Sequence, residues 1–493
     1  MNGSSKKLTI NALSAVLQVS FTALLFFFLY KYLLNTIGVE QLGVWSLILS
    51  FSSIANLANM GLTSGLVKFV AEYILDEDKS KLGKLIFTSV ISMLILFGTI
   101  SVIIFFGAQF FLKFLIDEKF LEVALQILPY SLASLSINAI GGVFTSVLEG
   151  YQKNYIRNFI YIGSGIIMFG ITVLLTPIYN LKGVAIAQLA QAISVLVLAF
   201  FFILKIDHNN RIKYWKWSLK SFKELFSYGY KFQIVSICQL LYEPTTKFLL
   251  SKYGGLSFLG HYEMATRAVS QFRALLVNAN QVVIPIVAEK AMGETQERLI
   301  IFYTKMNRVM HLFTFPLSTL LVLVTPLIST IWIGYYEPEF VWSVYILTIS
   351  YIINIMSGPS YFSCLGEGNL NILIFSHLGM AIINIILGYI LGVAYGGVGI
   401  VAAWGVSIII GSLITFFLYQ KKKRFKFTDI FTSFEFWTTI ISSVFILGGI
   451  LLFNSNSENL YPMTGMIVIA FFIVLGLYMK KNNLLDKLAE FKK

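Results

Sequence analysis

Charge is scarce in this chain: Asp, Glu, Lys and Arg make up 12% of 493 residues, against roughly 25% in an ordinary soluble domain. A water-soluble globule is therefore excluded. Cysteine is almost missing, with Cys238 and Cys364 both inside apolar runs, so no disulfide framework is expected. The four histidines, His208, His261, His311 and His377, are scattered without an HExxH pair, and neither a metal site nor a cofactor is expected. The one Gly-Lys dipeptide, Gly83-Lys84, has Asp78 where a phosphate loop needs its first glycine, which excludes ATP hydrolysis by a GxxxxGK[ST] loop.

What is abundant is apolar sequence, 57% of the chain. Runs of about 20 apolar residues, the length that crosses a hydrocarbon core of roughly 30 Å, recur almost without interruption. They predict spans near 9–34, 42–70, 86–111, 123–147, 155–177, 181–204, 225–251, 257–287, 303–331, 340–364, 371–394, 397–420, 434–454 and 460–479. The expected fold is an all-α polytopic membrane protein of about fourteen transmembrane helices. The N-terminal run lacks a small-residue cleavage site and reads as a retained helix.

The net charge of +13 is explained by topology rather than by nucleic acid. Alternate connections carry the cations: Lys6 and Lys7, Lys79 to Lys84, Lys153 with Arg157, Lys205 to Lys223, Lys290 with Arg298, Lys421 to Lys426, and the tail from Lys480. The other connections hold little beyond Lys113, Lys119, Lys182 and Lys252. Positive charge gathers on the cytoplasmic side, so both termini are expected in the cytoplasm.

The sequence also repeats itself. LLNTIGVEQLGVW from Leu33 resembles LLSKYGGLSFLGHY from Leu249, pairing Gly38 with Gly254 and Gly43 with Gly260 across one inserted residue. Ala71 answers Ala288 and Asn154 answers Asn371, each, like Gly43 and Gly260, separated by 217 positions. GVAIA from Gly183 answers GVGIV from Gly397. Six helices per copy is an even number, so both copies enter the membrane from one side and are related by an axis along its normal. The expected organisation is a six-helix lobe at 1–204, a basic connector at 205–224, a second six-helix lobe at 225–420, and a basic loop with helices thirteen and fourteen and a tail at 421–493. Trp215 and Trp217 in the connector suit headgroup depth. Gly392 and Gly396 form a GxxxG pair, read as a close helix contact.

A few polar residues interrupt the spans. Glu243 and Lys247 stand four apart on one helix face with Gln239 a turn away, and Glu263, Arg267 and Gln271 repeat that spacing in the next helix, followed by Arg273. Helix one offers Gln18 and Lys31, and Asn278 lies farther along helix eight. A charge at the bilayer centre costs roughly 2.5–3.5 kcal/mol, so these groups are expected to face a wet cleft or to neutralise one another. Arg267, Arg273, Lys247 and Lys31 form the candidate cationic substrate site. Glu243, Glu263, Gln239, Gln271, Asn278 and Gln18 form the polar lining, with the two carboxylates as candidates for H+ or Na+ coupling.

The stretch YKYLLNTIGVEQLGVWSLILSFSSIANLANMGLTSGLVKFVAEY (30–73), with LEGYQKN (148–154) as a second block, resembles bacterial polysaccharide flippases, the Wzx-type members of the multidrug/oligosaccharidyl-lipid/polysaccharide (MOP) exporter superfamily. The resemblance implies a two-lobed transporter of the inner membrane that moves an undecaprenyl-pyrophosphate-linked oligosaccharide to the outer leaflet by alternating access, alongside glycosyltransferases and a polymerase. Flippases of the superfamily that carry peptidoglycan precursors have an arginine low in the first helix, whereas residues 9–29 here hold no cation. A drug or organic-cation exporter of the same superfamily is the nearest alternative, and calls for an acid-dominated cleft. A membrane polysaccharide polymerase or ligase is the alternative from another class, and needs a large outer loop that the spans leave no room for.

Overall fold

The computed structural model describes residues 3–74, 76, 78, 80–206, 211–227, 242–280, 296–367, 370–424, 433–455 and 460–481. Among these residues the secondary structure is helical and no strand occurs. Six long helices come first: α1 (Gly3–Ile37), α2 (Val39–Tyr73), α3 (Ser80–Leu115), α4 (Glu118–Gly150), α5 (Asn154–Tyr179) and α6 (Leu181–Ile206). A 3-10 turn at Arg211–Tyr214 leads to a helix over 219–227. Then follow α7 (Glu243–Leu249), α8 (Gly255–Asn280), α9 (Gln296–Trp332), α10 (Pro338–Met356), α11 (Gly358–Gly366), α12 (Leu370–Lys423), α13 (Ser433–Ser455) and α14 (Leu460–Lys481). Ten of the described helices are long and apolar enough to cross a bilayer. The chain is a multi-pass membrane protein.

Two expected spans divide differently. The run 340–364 breaks at Ser357 into α10 and α11, where Pro359 suits the first turn of a new helix. The runs 371–394 and 397–420 form the two arms of α12, which meet at Gly396 with φ 60° and ψ −142°. Gly396 is thus a turn residue using a left-handed φ open to glycine, rather than half of a flat GxxxG contact.

The chain forms two compact units. One holds residues 1–263 and 384–400, the other 264–383 and 401–493. In the first unit α4 is central, packed by α2, α3 and α6, while α5 rests on α1 and α6. In the second, α9 carries α10, α13 and α14. Helices α13 and α14, which the repeat leaves without counterparts, bury Phe453, Phe471 and Leu475 against Leu323 of α9. His311 Nε2 of α9 meets the Thr438 hydroxyl of α13 at 2.9 Å, and Arg308 meets the buried Glu435 carboxylate at 3.5 Å.

The first unit corrects the register of the repeat. The residue before α2, Gly38, has φ 81° and ψ 168°, and Gly255 at the start of α8 has φ 83° and ψ 167°. Gly38 therefore answers Gly255, not Gly254. The extra residue is absorbed just upstream in a π-helical turn, Leu250–Gly254, the form that accommodates one inserted residue in a helix. At the next junction Asn180 (φ 49°, ψ −133°) answers Gly396. A Cβ on Gly183 would lie 2.7 Å from the Leu175 carbonyl and one on Gly399 would overlap the Leu391 carbonyl, so Gly183 answers Gly399 rather than Gly397.

Counterpart residues also touch. A Cβ on Gly43 would overlap the carbonyl oxygen of Leu256, and one on Gly260 would overlap that of Val39. Val39 and Leu256 are themselves repeat partners, so the contact between the starts of α2 and α8 is reciprocal, as in an isologous interface. Backbone oxygens cannot move aside as a flexible side chain would. Gly43→Ala is expected to push α2 from α8 and to lower stability by about 1–3 kcal/mol, the usual range for overpacking, measured as a fall in the thermal midpoint of the detergent-solubilised protein. An unchanged midpoint would mean that the two backbones are not in contact.

Candidate functional site

The expected site residues fall into both units, and each unit holds a distinct polar cluster. In the first, the reciprocal contact leads to a buried ion pair. Lys247 Nζ of α7 donates to Glu263 Oε2 of α8 at 2.7 Å. The Ser46 hydroxyl of α2 donates to the same oxygen at 2.7 Å, and the Tyr30 hydroxyl of α1 donates to Oε1 at 3.1 Å. All four residues are sealed: Tyr30 and Ser46 are 0% exposed, Glu263 1% and Lys247 4%.

This arrangement follows from the repeat. Ser46 and Glu263 are counterparts, seven residues into α2 and eight into α8, so at 1.5 Å per residue both lie about 10–12 Å below the Gly38 and Gly255 turns. The reciprocal contact brings the two positions face to face, and the sequence differs there in the one way that matters, a hydroxyl at 46 and a carboxylate at 263. Lys247 supplies the countercharge from the neighbouring helix. The pairing differs from the Glu243–Lys247 pattern expected along one helix. Lys247 engages Glu263 across helices rather than Glu243 four residues away, and it does not reach outward to headgroups. Glu243 is exposed at the start of α7, where Pro244 occupies the first turn and so begins a helix rather than breaking one. Nearby, Asn384 of α12 donates to the Tyr242 carbonyl at 3.1 Å and the Thr246 hydroxyl at 3.0 Å.

The second unit holds a cation of different character. Arg273 of α8 donates through Nε at 3.1 Å and Nη2 at 2.8 Å to Asn354 Oδ1 of α10. Its guanidinium carbon stands 5.1 Å from the centre of the Tyr351 ring, one turn from Asn354. Asn354 is fixed in turn, its Nδ2 donating to the Ser412 hydroxyl of α12 at 3.0 Å. Among the described residues no carboxylate pairs with Arg273. A neutral amide and an aromatic face orient the guanidinium without cancelling its charge, which is the condition for attracting an anion. On the flank, Phe362 packs with Val277, Met306 and Tyr361.

The remaining candidates are less informative. Arg267 and Gln271 are half-buried on α8, between the Glu263 pair and Arg273 in sequence. Lys31 is half-buried on α1, and Gln18 donates weakly to Thr22 at 3.5 Å. Gln239 lies outside the described residues, and Asn278 is placed on α8 by its backbone alone. Helical spacing does not point to Tyr30, Tyr351, Asn354 or Ser412. Asn354 has a signal of its own, an amide inside the apolar run SYIINIM; the two tyrosines, among 25 in the chain, have none.

Comparison with known proteins follows the same lines. The family described as "Polysaccharide biosynthesis protein" matches residues 33–336, more than half of the chain. A Shigella flexneri protein named "Putative O-antigen transporter" is 22% identical over 398 residues, covering 79% of this chain and 92% of its own. Among solved structures, the lipid II flippase MurJ in an inward closed conformation superposes with a TM-score of 0.75 at 13% identity, covering 97% of this chain and all of its own. An inward-facing multidrug resistance MATE family transporter of the MOP superfamily gives 0.71 at 16% identity, covering 83% of this chain and 94% of its own. A MOP superfamily transporter from Pyrococcus furiosus gives 0.62 at 15% identity, covering 85% and 96%. At these identities the structures establish a shared fold.

Proposed function

The chain belongs to the polysaccharide biosynthesis protein family, and from that premise we propose that it carries an undecaprenyl-pyrophosphate-linked oligosaccharide from the inner to the outer leaflet of a bacterial inner membrane by alternating access. The resemblance of residues 30–73 to Wzx-type members of the MOP superfamily is borne out by the family match and the MOP fold. The observation that carries the reading is Arg273, a half-buried guanidinium held by an amide and a tyrosine ring with its charge intact. A drug exporter taking organic cations would want a carboxylate at such a point. A pyrophosphate wants this cation, because Arg offers parallel donors to its oxygens.

In this reading Arg273 is the principal anion contact, with Arg267 and Lys31 assisting, and Gln271 and Asn278 meet sugar hydroxyls. Lys247 is satisfied by Glu263, so it serves the framework of its own unit rather than the cargo. Exposed Glu243 is the better candidate for a coupling H+ or Na+. A membrane negative inside favours outward movement of an anion by about 2.3 kcal/mol per charge per 100 mV, so transport has an energy source without ATP. The reciprocal α2–α8 contact and the matched turns support two six-helix lobes, 1–204 and 225–420, related along the membrane normal, with both termini cytoplasmic. Glycosyltransferases and a polymerase are its expected partners.

Deleting the gene in a polysaccharide-producing strain is expected to leave undecaprenyl-pyrophosphate-linked repeat units accumulating on the cytoplasmic leaflet, detected by mass spectrometry of extracted lipids. Unchanged surface polysaccharide with no such lipid would refute the assignment. A changed drug-susceptibility profile in its place would favour the exporter of organic cations.

A further inference from the structure

The segment 211–227 is fixed to the helical bundle on one side and exposes an unusual mixture on the other. Trp215 enters an aromatic box, stacked on Phe144 of α4 at 6.3 Å between centroids and flanked by Phe200 of α6 at 6.0 Å and Phe87 of α3 at 5.9 Å. The Ser218 amide donates to the Thr88 hydroxyl at 2.9 Å, and the Tyr73 hydroxyl at the end of α2 donates to Glu224 Oε2 at 2.8 Å. Phe144 and Phe200 each lie six residues before the end of their helix and Phe87 seven after the start of its own. At 1.5 Å per residue the indole ring is therefore seated about 9–10 Å below the helix ends. With the helix ends in the headgroup layer, that depth puts the backbone of 215–218 near the boundary between hydrocarbon and headgroups.

The outward side then has a defined position. Trp217, Leu219 and Phe226 are 50%, 52% and 58% exposed, and Trp217, Phe222 and Phe226 form a continuous row, with 6.5 Å and 6.0 Å between successive ring centres. At helical spacing, Leu219, Phe222 and Phe226 share one stripe and Lys220 and Lys223 border it. Lys213 and Lys216 are likewise exposed beside Trp217. A hydrocarbon-facing helix has no use for four exposed ammonium groups, and a water-facing one has no use for the aromatic row. A stripe of aromatics flanked by lysines is the pattern of a helix lying in the membrane interface.

We propose that residues 211–227 are a lipid-docking foot, whose Trp217–Phe222–Phe226 row inserts among the headgroups of an anionic leaflet while Lys213, Lys216, Lys220 and Lys223 pair with lipid phosphates. Trp215 tethers the foot to the bundle beside the leaflet, and the lysines decide whether its aromatic row enters it. The inference needs a leaflet of anionic glycerophospholipid but no particular cargo, so it stands or falls separately from the transport assignment.

The test uses the full chain in nanodiscs of phosphatidylcholine alone or with one-third phosphatidylglycerol, carrying a nitroxide at Phe226→Cys with Cys238→Ser; Cys364 is buried and stays. Depth is read from the ratio of oxygen to nickel-chelate collisions. In the anionic discs the label is expected at interfacial depth, and each Lys→Gln replacement is expected to lower the docked-to-undocked ratio about fivefold, the equivalent of about 1 kcal/mol per cation near an anionic surface. Replacing all four lysines should bring the label to its depth in the neutral discs. A label exposed to water in the anionic discs, or equally deep with and without the lysines, would overturn the proposal. A repeat with the label at Leu219→Cys guards against a local effect at one position.

Discussion

Replacing Glu263 by alanine is expected to cost about 3–5 kcal/mol of stability, the usual penalty for removing one partner of a buried ion pair. The carboxylate accepts from Lys247, Ser46 and Tyr30 at once, and its loss strands an ammonium that is 4% exposed. Lys247→Met alone is expected to be nearly as harmful, since it leaves the charge on the carboxylate instead. The informative variant is the double replacement Lys247→Met with Glu263→Gln. Glutamine keeps an oxygen for the two hydroxyl donors and methionine fills the lysine stem, so no charge is left unpaired. Most of the lost stability should return, because a well-packed neutral substitute for a buried pair is often no less stable than the pair. The check is a thermal-unfolding double-mutant cycle on protein in detergent. Additive losses in the double variant, or a harmless Glu263→Ala, would show that the two groups do not meet.

The history of this pair also marks where the sequence was readable. Helices were legible because each must satisfy its own backbone in hydrocarbon, and twenty apolar residues between cations announce that requirement directly. Their packing was legible only through the repeat. Gly43 and Gly260 align by motif and by contact alike, but the motif alone aligns Gly38 with Gly254, since two adjacent glycines at 254 and 255 look equivalent until one has φ 83°. The π turn at Leu250–Gly254 carries no composition signature. Charge pairing is hidden for a related reason: helical spacing of four says which side chains share a face, whereas the reciprocal contact decides that position 263 faces position 46. A copy that kept serine at both would have had no ion pair at all. The site around Arg273 was half visible. The cation stood out in an apolar run, while Asn354 and Tyr351, which decide what that cation can do, reach it from a helix about 80 residues away.

Arg273→Ala is expected to reduce polysaccharide export on the order of 100-fold. Hydrogen bonds to a charged partner contribute roughly 1.5–3 kcal/mol each, and at 1.4 kcal/mol per factor of ten the loss of a single strong contact to the proposed pyrophosphate cargo reaches that size. Arg273→Lys keeps the charge but loses the planar fork that a phosphate matches, so an intermediate loss is expected. Both results would also follow if Arg273 merely braced α8 against α10, which is why Asn354→Asp decides the matter. A carboxylate at 354 would accept from the same Nε and Nη2, forming an Arg–Asp pair in place of an Arg–amide pair. A bracing role predicts a protein at least as stable and fully active, since the contact is strengthened. An anion-receiving role predicts the opposite for function: the guanidinium is neutralised before the cargo arrives, and export falls toward the Arg273→Ala level while the thermal midpoint holds or rises. Surface polysaccharide and the protein's melting curve, measured on the same strains, separate the two outcomes. Wild-type export from Asn354→Asp would take the anion role away from Arg273.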